Sequence, residues 1–424
     1  MTQRHRSFAD RTAALAAAGY TWLPGLLRRA GTDSVLTRVL GRPTVGLHGP
    51  DAVRFFYDES HVRRRDAAPD RVKSTLFGHG GVQGLDGREH RVRRELFLSL
   101  LTPADAVADL VTRTEAAWDE AVHRWARRER IVLFDEVSRV LTRGVCDWAG
   151  VPVEQDDEVA LARDLVAMVD GFAAAGPRHR RARRARARRE EWLSRLVADL
   201  RAGRAFAPGR GAAEAVALHR DADGERLPPR VAAVELLNVL RPTVAVAWFA
   251  AFSAHALHHR PEVADRLRAS ARSEDVADRS GYVHAFAQEV RRFYPFAPFT
   301  GGRAVDDLDW HGLRVPRDAL ILLDLYGQDH DPRLWTEPYA FAPQRFLARP
   351  FGGEALVPQG GGDMQTGHRC PGEPATVALL RALAARLARL QYRVPRQDMR
   401  ISLRRMPARP RSGMVLAGVR PGDA

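Results

Sequence analysis

The sequence predicts a mainly α-helical protein with minor β-sheets, and three observations lead to that fold class. Most of the 424 residues carry apolar side chains at helical spacing, in segments separated by Gly, Pro and Asp. Short apolar runs bounded by turn residues occur near the two ends of the chain, which predicts strands there. The composition, with 45% hydrophobic and 28% charged residues, is typical of a globular protein with a large core.

The individual elements follow from these patterns in chain order. The first strand is predicted at TVGLHG, and later strands at LDWHGLRVP, ALILLDLY and MVLAGV. Between them, the helix-period patterns cover 104–128, 133–150, 154–175, 180–203, 228–259, 278–294 and 373–391. The length exceeds that of an ordinary single-core domain, so either two domains or one large layered domain is expected.

Composition and charge also narrow the function classes. The net charge of +14 is almost entirely arginine, because Lys73 is the single lysine, and this favours a general codon bias over a selected nucleic-acid-binding face. One run, 178–189, concentrates arginines. We interpret it as a solvated helix face, with a nucleic-acid or acidic-membrane patch as the alternative. Two cysteines, no apolar signal segment and no membrane-spanning stretch predict a cytoplasmic protein.

The segment 357–383 carries the clearest chemistry. A glycine-rich loop leads to Cys370, which Pro371, Gly372 and then a helix follow. A cysteine just before a helix is close to free backbone N–H groups and the positive end of the helix dipole, which stabilise a metal-binding thiolate. Glycines let the backbone approach a flat ligand closely. Cys146 lies inside a helical pattern and is interpreted as an inert buried thiol.

Two further motifs precede this loop. Glu289 and Arg292 are three residues apart on one helical face, and Arg345 in FAPQRF is positioned to complete a buried charge network with them. In this order, the three motifs resemble the haem-thiolate cytochromes P450 along the whole chain. The resemblance implies haem b with Cys370 as axial iron ligand, and a long central helix over the haem.

The same resemblance implies one domain over 1–424. Its β-rich portion would cover about 35–50 and 300–325 together with the C-terminal strands, and its α-rich core about 90–294 and 370–395.

Residues 76–102, 236–261 and 357–373 resemble one branch, the bacterial fatty-acid peroxygenases, and the basic run is similar as well. This implies a fatty acid as substrate, hydrogen peroxide as co-substrate and no obligatory redox partner. Met364-Gln365 departs from the pattern expected in that branch, so the hydrogen bonding of the cysteine loop is left open.

Arg241 and Pro242 interrupt the long helix 228–259. Proline distorts a helix interior at a cost of roughly 3 kcal/mol, so we expect a local opening there. A buried arginine needs an anionic partner, and its planar fork suits a carboxylate. We predict that Arg241 binds the carboxylate of the fatty acid, which then serves as general acid and base near the iron. The α and β carbons would lie nearest the oxidant. The alternative is a core ion pair within the chain.

Gln83 lies in VQGLDG, which resembles the loop above the haem in that branch. A neutral amide does not exchange protons near neutral pH as imidazole does, so hydroxylation is favoured over decarboxylation to a terminal alkene. A loop glutamine that bonds only backbone groups is the alternative.

The remaining site predictions concern the haem surroundings and the acyl chain. The resemblance implies that haem contacts involve Arg64, His90, Arg94, Gln359, Gly360 and Gly367. Exposure to solvent is the alternative for Arg64, His90 and Arg94. An apolar tunnel is expected to use Leu76, Phe77, Phe172, Phe293, Phe296 and Phe299, for which core packing is the competing explanation.

Three other functions are weighed against the peroxygenase. A monooxygenase that depends on a redox partner is disfavoured by Arg241-Pro242, because that class places an acid and a threonine at this point of the helix. A non-enzymatic haem or lipid carrier would bind without turnover, and a nucleic-acid-binding protein would show a strong salt dependence.

Overall fold

The computed structural model describes residues 9–205, 211–273, 276–348 and 353–422. Helical segments dominate, and in chain order they are α1 Thr12–Ala18, α2 Trp22–Ala30, α3 Pro50–Tyr57, α4 Asp70–Val72, α5 Gly87–Leu101, α6 Ala104–Trp125, α7 Leu133–Ala149, α8 Gln155–Gly171, α9 Pro177–Arg201, α10 Ala212–Leu218, α11 Pro229–Val244, α12 Val246–His259, α13 Pro261–Arg272, α14 Val276–Phe293, α15 Leu325–Gln328, α16 Arg345–Ala348 and α17 Glu373–Arg389. A π-helical turn, Lys73–Phe77, follows α4, and 3-10 turns cover Gly19–Thr21 and Val82–Gly84.

The strands form small sheets at the side of the helices. They are β1 Ser34–Val39, β2 Arg42–Leu47, β3 Val62–Arg63, β4 Arg130–Val132, β5 Phe299–Ala304, β6 Leu308–Trp310, β7 Leu313–Val315, β8 Leu320–Asp324, β9 Gln391–Arg393 and β10 Val415–Arg420. The largest sheet has the order β1-β2-β8-β5-β3, and the others are β4-β10-β9 and the β6-β7 hairpin. The fold is mainly α with minor sheets, as predicted.

The largest sheet joins the two ends of the chain. Strand β2 pairs with β8 in parallel, with Thr44 opposite Leu320, while its other pairings are antiparallel. Its apolar faces form a core of their own, which includes Val45, Phe56 and Ile321, beside the much larger helical core. Strands that are distant in sequence therefore form one layer next to the helices.

Two predicted elements end earlier than their apolar patterns suggested. The run 319–326 is a strand only to Asp324, because the Asp324 carboxylate accepts a hydrogen bond from the Gly327 N–H at 2.8 Å and so caps helix α15. The predicted helix 154–175 ends at Gly171, where α8 crosses α9 so closely that a side chain would collide with Ala182.

The long central helix is interrupted, as its proline predicts. Residue Ala245 separates α11 from α12, three residues after Pro242. Across the interruption the Trp248 N–H bonds the Ala245 carbonyl at 3.1 Å, three residues back instead of four. The whole stretch Pro229–His259 is apolar and long enough to cross a membrane, but 89% of its most apolar window is buried in the fold. Within the described residues it is a core helix.

Candidate functional site

The sulfur of Cys370 lies at the end of the glycine loop, just before α17. The Gly372 N–H donates to the sulfur, and the Gln359 amide lies 3.6 Å from it. Burial raises the pKa of the Cys370 thiol, while these two donors act in the opposite direction. The same donors would stabilise a thiolate bound to a metal. The contact of Gln359 with the haem itself stays a prediction.

The glycines of this loop have a packing role that the sequence did not indicate. Gly360 has φ +93° and lies against the Tyr57 hydroxyl, where a side chain would collide with it. A side chain at Gly367 would meet the Asp363 carbonyl oxygen at 2.9 Å. Contact with a ligand was predicted for both glycines; the structure explains both by contacts within the chain.

Behind the cysteine, a buried carboxylate fixes the start of α17. Glu373 bonds Arg369 at 2.7 Å and also pairs with Arg291. Burial alone would raise the pKa of Glu373, but the two guanidinium groups outweigh it and the pKa is lowered. Arg291 also donates to the Gln359 side chain at 3.2 Å, which orients the amide near the sulfur. Sequence reasoning missed this group.

The structure brings together the three residues of the predicted charge network. Arg292 makes two 2.8 Å bonds to the Glu289 carboxylate, and both side chains are fully buried. Arg345 lies 3.2 Å from the same carboxylate. Arg292 also donates to backbone carbonyls of the segment before the cysteine loop, including Asp329 and Pro338. The network therefore fixes that segment onto α14.

At one edge of the site lie buried nitrogen atoms that have no hydrogen-bond partner within the described ranges. They are Arg64 Nη1, His90 Nδ1 and His368 Nε2. The two imidazoles stack with ring centroids 3.8 Å apart. Burial and Arg94 lower the pKa of His90 to about 4, and burial and Arg64 lower that of His368, so both rings are neutral at pH 7. Unpaired donors of this kind suit an anionic acceptor.

This edge fits the propionates of a haem whose iron Cys370 would bind. Glu59 lies 3.9 Å from both imidazoles, and the three side chains have the spacing of a metal site. The adjacent Arg64 guanidinium makes the surroundings more suitable for an anion than for a cation. His368 was missed by sequence reasoning, although its position two residues before the cysteine could have indicated it.

Arg94 makes contacts within the chain that the sequence did not indicate. Its guanidinium donates to the carbonyl oxygens of Met364, at 3.0 Å from Nε, and Arg369, at 2.7 Å from Nη2. These bonds fasten α5 to the cysteine loop. They use Nε and Nη2 of the guanidinium and the carbonyl of Met364, one of the two residues that depart from the expected loop pattern. The propionate contact of Arg94 stays a prediction.

Arg241 is a buried cation without a carboxylate partner among the described residues. Its side chain is on α11 and the residue is 6% exposed, and its Nε is buried without a hydrogen bond. Burial and the nearby Arg186 lower the pKa of Arg241 to about 9, so the group remains charged at pH 7. Cys370 is close enough to influence it. Among the described residues, Arg241 therefore has no ion pair in the core, which was the alternative interpretation of this residue.

Gln83 is held by a network that begins on α5. Arg93 donates to Glu235 at 2.6 Å, and Asn238 lies 3.2 Å from both the Glu235 carboxylate and the Gln83 side-chain oxygen. The Val82 N–H also donates to Glu235, which is fully buried. Sequence reasoning missed this group, although a carboxylate and an amide one turn apart in an apolar helix were visible.

The predicted tunnel residues fall into two groups. Leu76 and Phe77 are half-buried in the π-helical turn, and the Phe77 carbonyl accepts from Asn238 at 2.9 Å, so these two lie beside the network. The ring of Phe293 instead packs against Tyr294 and Phe341. This contact agrees with core packing, the competing explanation for the tunnel residues.

Two of the remaining aromatic residues also have aromatic neighbours. Phe296 contacts Trp248 and Phe249, Phe299 meets Trp22, and Phe172 is half-buried after α8. Their tunnel role stays a prediction.

Chemically, this arrangement offers a thiolate ligand below a flat cofactor and an unpaired cation on the central helix. An anionic organic substrate would satisfy that cation. The amide of Gln83, fixed by its network, is the polar group expected beside the same space.

Several solved structures match the whole chain. Cytochrome P450SP alpha (CYP152B1), in complex with (R)-ibuprofen, is 42% identical with a TM-score of 0.92, covering 97% of this chain and 99% of that one. Cytochrome P450EX alpha (CYP152N1), with myristic acid, is 36% identical with a TM-score of 0.91, covering 97% of both. A variant of cytochrome P450 OleT with arachidonic acid is 31% identical with a TM-score of 0.93, covering all of both chains.

Shorter matches agree with these. The family model described as Cytochrome P450 matches residues 246–415. Among curated relatives, carnosic acid synthase of Rosmarinus officinalis is 34% identical over 111 residues, which are 25% of this chain and 21% of that protein. The chain thus spans about a fifth of the length of that curated relative.

Proposed function

Because this chain belongs to the cytochromes P450, among the CYP152 proteins, we propose that it is a hydrogen-peroxide-dependent fatty-acid peroxygenase. The proposed reaction hydroxylates a medium- or long-chain fatty acid at the α or β carbon. It uses haem b with Cys370 as axial ligand and needs no redox partner. We place the enzyme in the cytoplasm.

The observation that supports this most strongly is the unpaired charge of Arg241. A buried guanidinium without a counter-ion is costly, since the charge loses its hydration and gains nothing in return. A fatty-acid carboxylate would supply two parallel charge-assisted bonds to the planar fork. The fatty acids in two of the solved relatives are consistent with such a ligand.

Each part of the site has a task in this proposal. Arg64, His90 and His368 hold the propionates, and Cys370 with its donors from Gly372 and Gln359 holds the iron. Bound haem supplies the metal centre at which hydrogen peroxide is cleaved and the C–H bond is oxidised.

The chain's own contribution is positioning and proton transfer. Arg241 fixes the substrate carboxylate, which takes a proton from one peroxide oxygen and returns it to the other. With the carboxylate fixed, the α and β carbons are the nearest positions to the oxidant. Regioselectivity then follows from geometry and not from any special reactivity of these carbons.

Replacing Arg241 tests the proposal. We expect Arg241→Ala to lower kcat/KM for peroxide-driven oxidation of a saturated fatty acid by about 10³-fold or more, since it loses both the buried ion pair and the positioned acid–base group. Arg201→Gln is the matched control, because Arg201 bonds the carbonyls of Ala217 and Leu227 and, in the described part of the chain, no carboxylate. The measurement is product formation with hydrogen peroxide as sole oxidant.

Three outcomes would contradict the proposal. Wild-type turnover by Arg241→Ala would show that an ion pair between Arg241 and the substrate carboxylate is not needed for the reaction. Activity that requires a reductase, with none from peroxide alone, would favour the conventional monooxygenase, and binding without any turnover would favour a carrier.

Decarboxylation to a terminal alkene is the second reaction to consider. Gln83 is an amide held by Asn238, and an amide does not transfer protons near neutral pH. This supports hydroxylation as the main outcome. A product profile dominated by alkenes one carbon shorter than the substrate would reverse this assignment.

A further inference from the structure

The exposed half of helix α9 carries four arginines that no acid neutralises. Arg180, Arg181, Arg183 and Arg184 are all exposed, and none has a carboxylate partner within the described ranges. Their spacing places them on one side of the helix, because residues three and four apart are neighbours on its surface. Together they form a compact cationic surface, here called the arginine face.

Other arginines in the same region are paired, which makes this face distinct. Asp164 binds Arg188 at 2.6 Å and Arg189 at 2.8 Å. Asp170 binds Arg178 and Arg405, and Glu190 binds the buried Arg186 at 2.5 Å. The nearest acids of α8 and α9 are therefore committed elsewhere, and the arginine face keeps its full charge.

This placement does not favour the folded state. The face lies in the first two turns of α9, where the helix dipole is positive and acidic residues are preferred, yet the first turn has none. Like charges at i and i+4, such as Arg180 and Arg184, repel each other as well. A cluster that works against helix stability indicates a role outside folding.

The face is also close to the proposed acyl site. Two residues after Arg184, Arg186 donates to the Leu76 carbonyl at 2.7 Å, and α9 packs against both the π-helical turn and α11, the helix of Arg241. The exposed side of α9, which carries the arginine face, and the opposite side, which packs on these elements, are roughly 10 Å apart, the diameter of a helix. At its N-terminal end, the connection 172–176 is apolar and uncharged, with Ala175 exposed.

We propose that the arginine face docks on an anionic lipid bilayer. Each arginine near such a surface adds an attraction that salt screens, and the apolar connection allows shallow contact with the acyl boundary. Nucleic acid offers phosphates but nothing for an apolar segment, so the bilayer is favoured. Docking does not depend on the proposed reaction, but it would bring lipid-derived carboxylates next to Leu76.

The test is co-sedimentation of the haem-loaded protein with vesicles. We expect binding to equimolar phosphatidylglycerol and phosphatidylcholine at about 0.05 M salt, loss of binding at about 0.5 M, and none to phosphatidylcholine alone. The variant R180Q/R181Q/R183Q/R184Q should bind the anionic vesicles at least about a hundred-fold more weakly.

The control variant R28Q/R42Q/R127Q/R396Q removes four exposed arginines that lie elsewhere and have no carboxylate partner in the described residues. It should bind within about threefold of wild type. Both variants should keep the turnover of a dissolved fatty acid. The control should keep the wild-type Tm, and the arginine-face variant should have a Tm equal to or above it, because like-charge repulsion on α9 is relieved. Failure of the peroxygenase assignment would leave the vesicle result unaffected. Equal losses of vesicle binding in the two variants would show that the total positive charge, and not the arginine face, attracts the bilayer. Tighter binding to duplex DNA than to the vesicles would identify another polyanion as the partner. Either result overturns the proposal.

Discussion

At the scale of single residues, Glu235 connects helices α5 and α11 to the loop that carries Gln83. It is fully buried on α11, and it joins Arg93 on α5 to Asn238, which in turn contacts Gln83. Burial raises the pKa of Glu235, while Arg93 acts against this. The charge of the pair therefore matters more for orientation than for stability, because a buried ion pair gains little net free energy.

We predict that Glu235→Gln lowers kcat for peroxide-driven hydroxylation by about tenfold and leaves KM for the fatty acid unchanged. The amide keeps the size of the carboxylate but weakens the bond that orients Asn238, and hence Gln83, while Arg241 still binds the substrate. Steady-state kinetics with varied peroxide and varied fatty acid separate these effects.

A matched control is Glu136→Gln, another buried carboxylate, which bonds Trp125 and Arg128 away from this network. It should lose similar stability with no change in kcat. If Glu235→Gln shows only the stability loss of the control, Glu235 has no positioning role.

At the scale of elements, two ion pairs within helices differ chiefly in burial and in the further contacts that they make. Glu289 and Arg292 are three residues apart on α14 and fully buried, and Glu289 also accepts the Ala342 N–H at 2.8 Å. Asp109 and Arg113 are four apart on α6, and both are about half exposed. Burial removes water as an alternative partner, so only the first pair leaves a costly charge when one member is lost.

Accordingly, Glu289→Ala should lower the free energy of unfolding by about 3–5 kcal/mol and reduce haem incorporation, because the segment before the cysteine loop loses its attachment to α14. Asp109→Ala should cost no more than about 0.5 kcal/mol. Denaturant titrations of both variants give the comparison. Equal effects would mean that the α14 pair is merely one more helical ion pair.

At the scale of the whole molecule, the sequence predicted what is local. Three features could be recognised because each lies within one short segment with a distinctive pattern: Cys370, the Glu289–Arg292 pair and the proline interruption. The anion-binding edge was predicted only in part: the family resemblance implied Arg64 and His90, but His368 was missed. The three residues come from separate parts of the chain and meet only after the fold closes, so no local pattern joins them. The bonds of Arg94 to carbonyls of the cysteine loop are another contact between distant segments that its helical spacing did not indicate.

A contact between residues that are distant in sequence also makes the stability of the fold depend on pH. His48, which follows β2, lies 3.2 Å from Asp324 and 2.9 Å from Asp331, which are brought beside it by the parallel pairing of β2 and β8. Burial would lower the pKa of His48, but these two carboxylates outweigh it and raise the pKa to about 9. The folded state therefore holds this proton more tightly than the unfolded state, where the pKa is about 6.5.

The resulting stabilisation, up to about 3 kcal/mol, is fully present below pH 6.5 and disappears as the pH rises through 9. We predict that wild type is more stable than His48→Gln by this amount near pH 6, and that the difference shrinks by most of its size near pH 9.5. Denaturant unfolding of both proteins across this range measures it. A difference that stays constant with pH would show that His48 contributes through packing and not through its charge.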